Sequence, residues 1–342
     1  MEKELWKYLK TVKKPIVLYG MGNGADKIIN VLNSYGISFE GVFASDGFVR
    51  EKYFHSHKIS SYSLLKEKYG DMIVLLCFGS QLPQVIDNII KIANEQELYA
   101  PEVPVIGGGL FTEEYYLQNK SEFDWVYSRL ADDTSKKTFE NVIKYKISGK
   151  IDYLLNCETD VSEPYNSFLN LSKETFIDLG AYNGDTVMDF IKRCPDYKRI
   201  YAVEPDFKTF KKLEKNTADI KNLQIFNACV SNKCGKAFFA MKGGRNSLLS
   251  NQGTEIDCIT VDSLKTDATF IKMDVEGEEI NAILGAKQTI LKNKPKMLIS
   301  AYHRTDDFLT IPKTVLEINP EYKMYLRHFS YLPAWDTNFY FV

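Results

Sequence analysis

The chain has 342 residues, room for about two domains at roughly 150 residues each. Lys and Arg number 43 against 45 Asp and Glu, a formal charge of −2, which argues against nucleic-acid or acidic-membrane binding driven by bulk charge. With 44% hydrophobic and 26% charged residues the composition is that of an ordinary globular protein and excludes wholesale disorder. No stretch reaches the ~18 apolar residues of a membrane span. The charged start MEKELWKYLKTVKKP lacks the apolar region of a secretory signal, so a cytoplasmic location is expected. Cys77, Cys157, Cys194, Cys229, Cys234 and Cys258 form no CxxC pair and are expected to be reduced, mostly buried thiols, forming neither a disulfide framework nor a zinc site.

The first element is the apolar run 16–19, bounded by Pro15 and Gly20, which reads as a buried parallel strand. It passes through Gly20-Met-Gly22-Asn-Gly24-Ala25 into a helical stripe of Ile28, Ile29, Val31 and Leu32 that ends at Gly36. A strand over 39–44 ends at Asp46, and a third over 72–78 leads through Gly79-Ser80 into a helix from about 83 to 94. Alternating strands and helices predict a parallel sheet. A glycine turn between strand and helix, with an acid about twenty residues on, fits a dinucleotide pattern. Gly20, Gly22, Gly24 and Asp46 are therefore candidates for a nucleotide site. The run also resembles the small Rossmann-type modules attached to sugar-modifying acyltransferases and methyltransferases, which share FEGVFASD. That resemblance implies a pocket for a nucleotide or nucleotide-sugar, or for nothing. No nicotinamide-facing residue is identifiable, and His55 and His57 are expected in an exposed loop.

Residues 1–110 are thus expected to form one domain, 111–172 a helical connector and linker, and 173–342 a second domain. The connector carries the apolar stripe Phe123, Trp125, Val126, Leu130, Phe139, Val142 and Ile143. The second domain opens with another strand, glycine turn and helix in TFIDLGAYNGDTVMDFIKRC. IYAVEP, LQIFNACVS, TFIKMDVEGEE and KMLISAYH supply further main strands, KAFFAM and EIDCITV short ones, and MYLRHF with NFYFV a closing antiparallel pair. The predicted class is α/β, with two Rossmann-like doubly wound sheets, the second ending in an antiparallel hairpin.

Such sheets bind ligands beyond the carboxyl ends of their strands, near the reversal of strand order. Asp178, Gly180, Tyr182, Gly184, Asp185 and Thr186 follow the first strand of the second domain. The glycines admit close approach, and the helix start offers N–H groups to a carboxylate. Glu204 ends the next strand, where it can accept both ribose hydroxyls, and Asn227, Ala228 and Cys229 are placed to line an adenine pocket.

DLGAYNGDT, YAVEP and above all IKMDVEGEEINAILGA resemble the FkbM-type S-adenosylmethionine-dependent methyltransferases, over about 174–342. The resemblance implies a class I methyltransferase fold, with S-adenosylmethionine (SAM) on the loop of Gly180 and Gly184, Glu204 on the ribose, and Asp274 near the methyl group. It also implies O-methylation, commonly of sugars or natural-product hydroxyls. A hydroxyl acceptor must lose its proton, to a base or with the help of a cation. Asp274, Glu276 and His303 end the fourth and fifth strands and are the catalytic candidates, with His303, titrating near neutrality, as the favoured base. The same three could hold a divalent ion, or the acids could be helix-start charges only, and no metal is assigned. Glu278 and Glu279 are expected to be solvated, Arg245 and Ser247 to lie in a binding loop, and Tyr331 or Trp335 to face a sugar.

The expected function is SAM-dependent O-methylation of a sugar or related small polar acceptor, without nucleic-acid partner, with a homo-oligomer left open. The alternatives are an NAD(P)-dependent oxidoreductase and a non-catalytic nucleotide-sensing protein built on the first domain.

Overall fold

Apolar runs of four or five residues become the central strands of two separate sheets, and the glycines that follow them turn the chain into helices. A computed structural model describes residues 3–45, 53–240, 248–250 and 254–342. The first sheet contains β1 (Ile16–Tyr19), β2 (Gly41–Phe43), β3 (Tyr53–Phe54), β4 (His57–Ser60), β5 (Ile73–Leu76) and β6 (Glu97–Tyr99), in the order β3-β4-β2-β1-β5-β6. All its pairings are parallel except the short β3–β4 turn. Asp46 lies outside the described residues, as do Arg245 and Ser247.

The second half begins with β7 (Thr175–Leu179), β8 (Arg199–Val203), β9 (Leu223–Phe226), β10 (Cys229–Val230), β11 (Gly235–Ala240), β12 (Leu248–Ser250) and β13 (Thr254–Ile259). It closes with β14 (Phe270–Met273), β15 (Lys296–Ser300), β16 (Met324–His328) and β17 (Thr337–Phe341). Seven of these form the main sheet, ordered β16-β17-β15-β14-β7-β8-β9. β17 runs antiparallel to both neighbours, so the closing hairpin is present, and the other main-sheet pairings are parallel. The strand order reverses between β7 and β14.

The stretch LQIFNACVS is not one strand. It breaks at Asn227-Ala228, and β10 joins β11, β12 and β13 in a second, four-stranded sheet. There Cys229 and Cys258 are register partners with Cα atoms 4.7 Å apart, and they form a disulfide. The expectation of six reduced thiols is therefore corrected. Pairing of distant strands made these two neighbours, which sequence spacing does not reveal. Cys77, Cys157 and Cys194 are buried free thiols, and Cys234 is exposed.

The connecting helices pack across both sheets. Val17 and Val74 of the first sheet, Phe123 and Phe139 of the connector, and Phe308, Met324 and Phe339 beyond it belong to one continuous core. Arg327, 1% exposed, fastens the closing hairpin to the connector through Asp132 and Glu163, at 2.7 Å each. Among the described residues no helix is long and apolar enough to cross a membrane.

Candidate active site

The loops after β7, β8, β14 and β15 surround a cavity of about 400 Å³, within the roughly 300–1,000 Å³ typical of small-molecule sites. Gly180 makes its floor. With φ +80° and a Cβ position only 1.9 Å from the Asp274 carbonyl oxygen, this residue must be glycine for the turn after β7 to pass the turn after β14. Tyr182 at φ 47° and Gly184 at φ 90° carry the turn to the helix Asp185–Arg193. The first amides of that helix are already capped, Asp185 N by Asn183 Oδ1 at 3.2 Å and Thr186 N by Asp185 Oδ1 at 2.8 Å.

Glu204, 7% exposed, faces this cavity. Its Oε2 accepts from Tyr182 N at 3.0 Å and its Oε1 from Asp206 N at 2.8 Å. A carboxylate has about four acceptor positions, so two remain for the vicinal hydroxyls of a ribose. Burial pushes this acid up to about 7, with the two amides pulling it back only in part. The carboxylate on the cavity wall and the glycine floor suit the nucleoside part of SAM.

Beneath the floor lies a buried ion pair. Asp178 and Lys272 are register partners on β7 and β14; Lys272 Nζ is 3.2 Å from Asp178 Oδ1 and donates to the Gly180 carbonyl at 3.2 Å. Burial raises Asp178 to about 6, against the pull of the ammonium. Burial also works against the charge on Lys272, but Asp178 and Asp274 outweigh it and hold its pKa above the ordinary value.

After β14 the chain makes a left-handed step at Glu276 and Gly277, φ 53° and 88°. Glu279, 1% exposed, organises that turn, its Oε1 accepting from Val275 N at 3.0 Å and Gly277 N at 3.4 Å. The expectation of a solvated Glu279 fails because His303 covers it, with Nδ1 3.0 Å from the same oxygen. The other ring nitrogen, Nε2, stands 3.5 Å from Asp274 Oδ1 and 3.6 Å from Glu276 Oε2. Tyr302 donates its hydroxyl to Asp274 at 3.0 Å. Burial alone would lower the His303 pKa, but Glu279, Asp274 and Glu276 reverse the effect and raise it to about 10. The imidazole by itself therefore keeps its proton at neutral pH, which corrects the reading of His303 as a base titrating near neutrality.

Gly180, Tyr182, Asp185, Thr186, Glu204, Cys229, Asp274 and Glu276 line the cavity. Asp178, Gly184, Ala228 and His303 stand behind the lining. Asn227 does too, with its Nδ2 bracing the turn after β8 through the carbonyls of Glu204 at 2.9 Å and Pro205 at 3.0 Å. Sequence reasoning missed Lys272, Glu279, Tyr302 and Gln81. For Lys272 a signal existed, a charge inside the apolar run FIKM. Gln81 reaches the cavity from the loop after β5, where Ser80 and Leu332 exchange backbone hydrogen bonds of 2.9 and 3.1 Å.

The other glycine turn looks different. A Cβ on Gly20 would meet the Phe78 ring at 2.5 Å, and one on Gly24 the Cys77 carbonyl at 2.3 Å, so packing accounts for both. Gly22 precedes the helix with φ 107°, and a Cβ there would meet nothing within 4 Å among the described residues. Nearby, Asp26 pairs with the exposed His55 at 2.7 Å.

The family model for the methyltransferase FkbM domain matches residues 178–333. A methyltransferase FkbM from Methylobacillus flagellatus shares the fold at 22% identity, with 96% of this chain and 90% of that chain covered and a TM-score of 0.74. The precorrin-6y C5,15-methyltransferase of Geobacter metallireducens (17% identity, 53% and 85% covered, TM-score 0.34) aligns too poorly to carry an argument. The same holds for Aeropyrum pernix fibrillarin, solved with natively bound SAM (13% identity, 50% and 67% covered, TM-score 0.31). No curated protein matches the chain. With the family's domain laid over the glycine floor, Glu204 and the Asp274 turn, residues 178–333 match the methyltransferase FkbM domain, and the chain is a SAM-dependent methyltransferase.

Proposed function

We propose that the enzyme methylates a hydroxyl of a sugar or a related small polar acceptor. The supporting observation is that Tyr331 and Trp335, ring centroids 6.1 Å apart, line the same cavity as the carboxylates of Asp274 and Glu276. Aromatic faces beside hydrogen-bonding acids suit a ring with apolar C–H faces and polar edges.

Bound SAM supplies a methyl group on a positively charged sulfonium. The chain's own task is to hold both reactants and take up a proton. Glu204 would hold the ribose, and Gly180 would let the backbone come close. With His303 carrying its own proton, Asp274 and Glu276, which face the cavity beside it, can accept the hydroxyl proton. The aromatic residues orient the acceptor and keep water away.

The first sheet completes this wall. Gly79 lies against Trp335, where a Cβ would be 2.5 Å from the ring, and Gln81 enters the lining. In this reading the first sheet shapes acceptor selection. Its own glycine turn, explained largely by packing, favours neither a nicotinamide reaction nor a nucleotide sensor.

Incubation with labelled SAM and a panel of mono- and disaccharides, nucleotide-sugars and simple polyols, with mass spectrometry of the products, tests the proposal. A methyl ether on a polyhydroxylated acceptor is expected. Trp335→Ala should raise the acceptor KM about tenfold or more, the ~1.4 kcal/mol worth of one stacked ring, and leave SAM affinity unchanged. A panel without product, or an unchanged KM in the variant, removes the sugar reading.

A further inference from the structure

We propose that the Cys229–Cys258 bond is a reversible thiol–disulfide site that sets SAM affinity, with small dithiols and disulfides as its redox partners. The proposal rests on the reading that SAM occupies the cavity beside Glu204. Cys229 and Val230, the two residues of β10, both line that cavity. β10 is an edge strand, held to β13 by the pairs Cys229–Cys258 and Val230–Ile259 and by Ser231 N donating to the Ile259 carbonyl at 3.0 Å. So short a ladder restrains the chain weakly, and the covalent bond adds a restraint that removes alternative arrangements. With the bond closed, this part of the wall is fixed before SAM arrives. With the bond open, SAM must order it, at a cost in affinity.

The surroundings of the bond leave it open to exchange. Cys258 stands on β13 between β10 and β11, and its register partner on β11 is Gly235. Cross-strand partners normally set their side chains against each other. A Cβ on Gly235 would meet nothing within 4 Å among the described residues, so no partner side chain covers that flank of Cys258. Cys234, the preceding residue, is an exposed free thiol.

Reduction is ordinary exchange. A dithiol thiolate attacks one sulfur of the pair and forms a mixed disulfide, and the other cysteine leaves as a thiolate and takes up a proton. The second thiol of the reagent then closes a ring and releases the first cysteine. The protein gains two electrons and two protons as two thiols, and the dithiol becomes a cyclic disulfide.

Dithiothreitol is the probe. Full-length protein is equilibrated in mixtures of its reduced and oxidised forms, with and without SAM, and the protein thiols are trapped and counted by mass spectrometry. Calorimetry gives the SAM affinity of the oxidised and the reduced protein. The oxidised form should bind SAM about tenfold more tightly, within the usual range for coupled sites. Coupling is reciprocal, so SAM should make the bond harder to reduce by the same factor, a midpoint shift of about 30 mV for two electrons. A disulfide that serves stability alone shows no such shift. Cys258→Ser should bind SAM as the reduced wild type does, whatever the dithiothreitol mixture. Cys234→Ser should keep both the coupling and the shift. Equal SAM affinity in the two redox states overturns the proposal, as does a midpoint that SAM does not move or coupling that survives in Cys258→Ser. Equal affinities with SAM bound remove the redox site alone. Absence of SAM binding in both states removes the cavity reading beneath it as well.

Discussion

Two turns in this chain share one grammar, an apolar strand, a glycine-rich bend and a helix, and their surroundings differ. Beyond β1 the neighbouring strand ends present aromatic rings: Tyr19 stacks on Phe43 at 4.5 Å and meets Phe78 edge-on at 4.9 Å. Beyond β7 the neighbouring ends present Glu204, Asp274, Glu276 and the buried Asp178–Lys272 pair. The first edge is filled by hydrophobic packing and the second is left open and charged. A glycine turn permits close approach, and the residues ending the flanking strands decide whether anything comes close.

The contrast can be broken most severely at Gly180. Gly180→Ala places a methyl 1.9 Å from a backbone oxygen at positive φ. A destabilisation above about 4 kcal/mol is expected, with SAM binding lost, as read by thermal unfolding and calorimetry. Lys272→Met strands Asp178 as an unpaired buried acid and should cost about 3–5 kcal/mol in denaturant unfolding. Adding Asp178→Asn should restore most of that stability. If the single variant is as stable as the wild type, the buried pair has no structural weight.

Glu204→Gln probes the ligand contact. Loss of charge-assisted hydrogen bonds worth about 1.5–3 kcal/mol should weaken SAM binding roughly 10–100-fold. Because burial lifts this acid to about 7, wild-type SAM affinity should rise with pH through neutrality as the carboxylate forms, and the variant's profile should be flat there. Linkage gives a matching stability effect with its own sign. An acid whose pKa rises on folding, here from 4.5 to about 7, contributes stability below its unfolded value and loses it as pH climbs through the folded one. Wild type should therefore lose stability relative to Glu204→Gln between those two values in SAM-free unfolding curves.

The smallest effect sharpens the comparison from the other side. Gly22→Ala meets no atom of the described residues within 4 Å, and its φ of 107° is unfavourable. It should cost about 1–3 kcal/mol and leave SAM affinity untouched. A large drop in SAM affinity would show that the two turns are coupled through the shared core.

Much of this architecture was legible because strand, turn and helix signals are local. Pro15 and Gly20 bracket one strand, and the acids after IYAV and FIKM mark strand ends by position. Glu278 and Glu279 look alike in sequence, as neighbouring acids at a helix start. Contact with His303 leaves Glu279 buried at 1% exposure, while Glu278 keeps 23%. The same limit hid the Cys229–Cys258 bond, whose partners are 29 residues apart and meet through strand pairing. Lys272 was readable in principle, because a charge in a buried strand requires a partner, but Asp178 could be named only once β7 and β14 were in register.

The sequence alone determined the alternation of strands and helices, the two glycine bends and the placement of acids at strand ends, because these depend on residues a few positions apart. Only the tertiary structure decided which acids are paired, which side of His303 each carboxylate occupies, and that Gln81 and Trp335 share one cavity. Those outcomes depend on distance through space and on removal from water, which bring together groups from opposite ends of the chain.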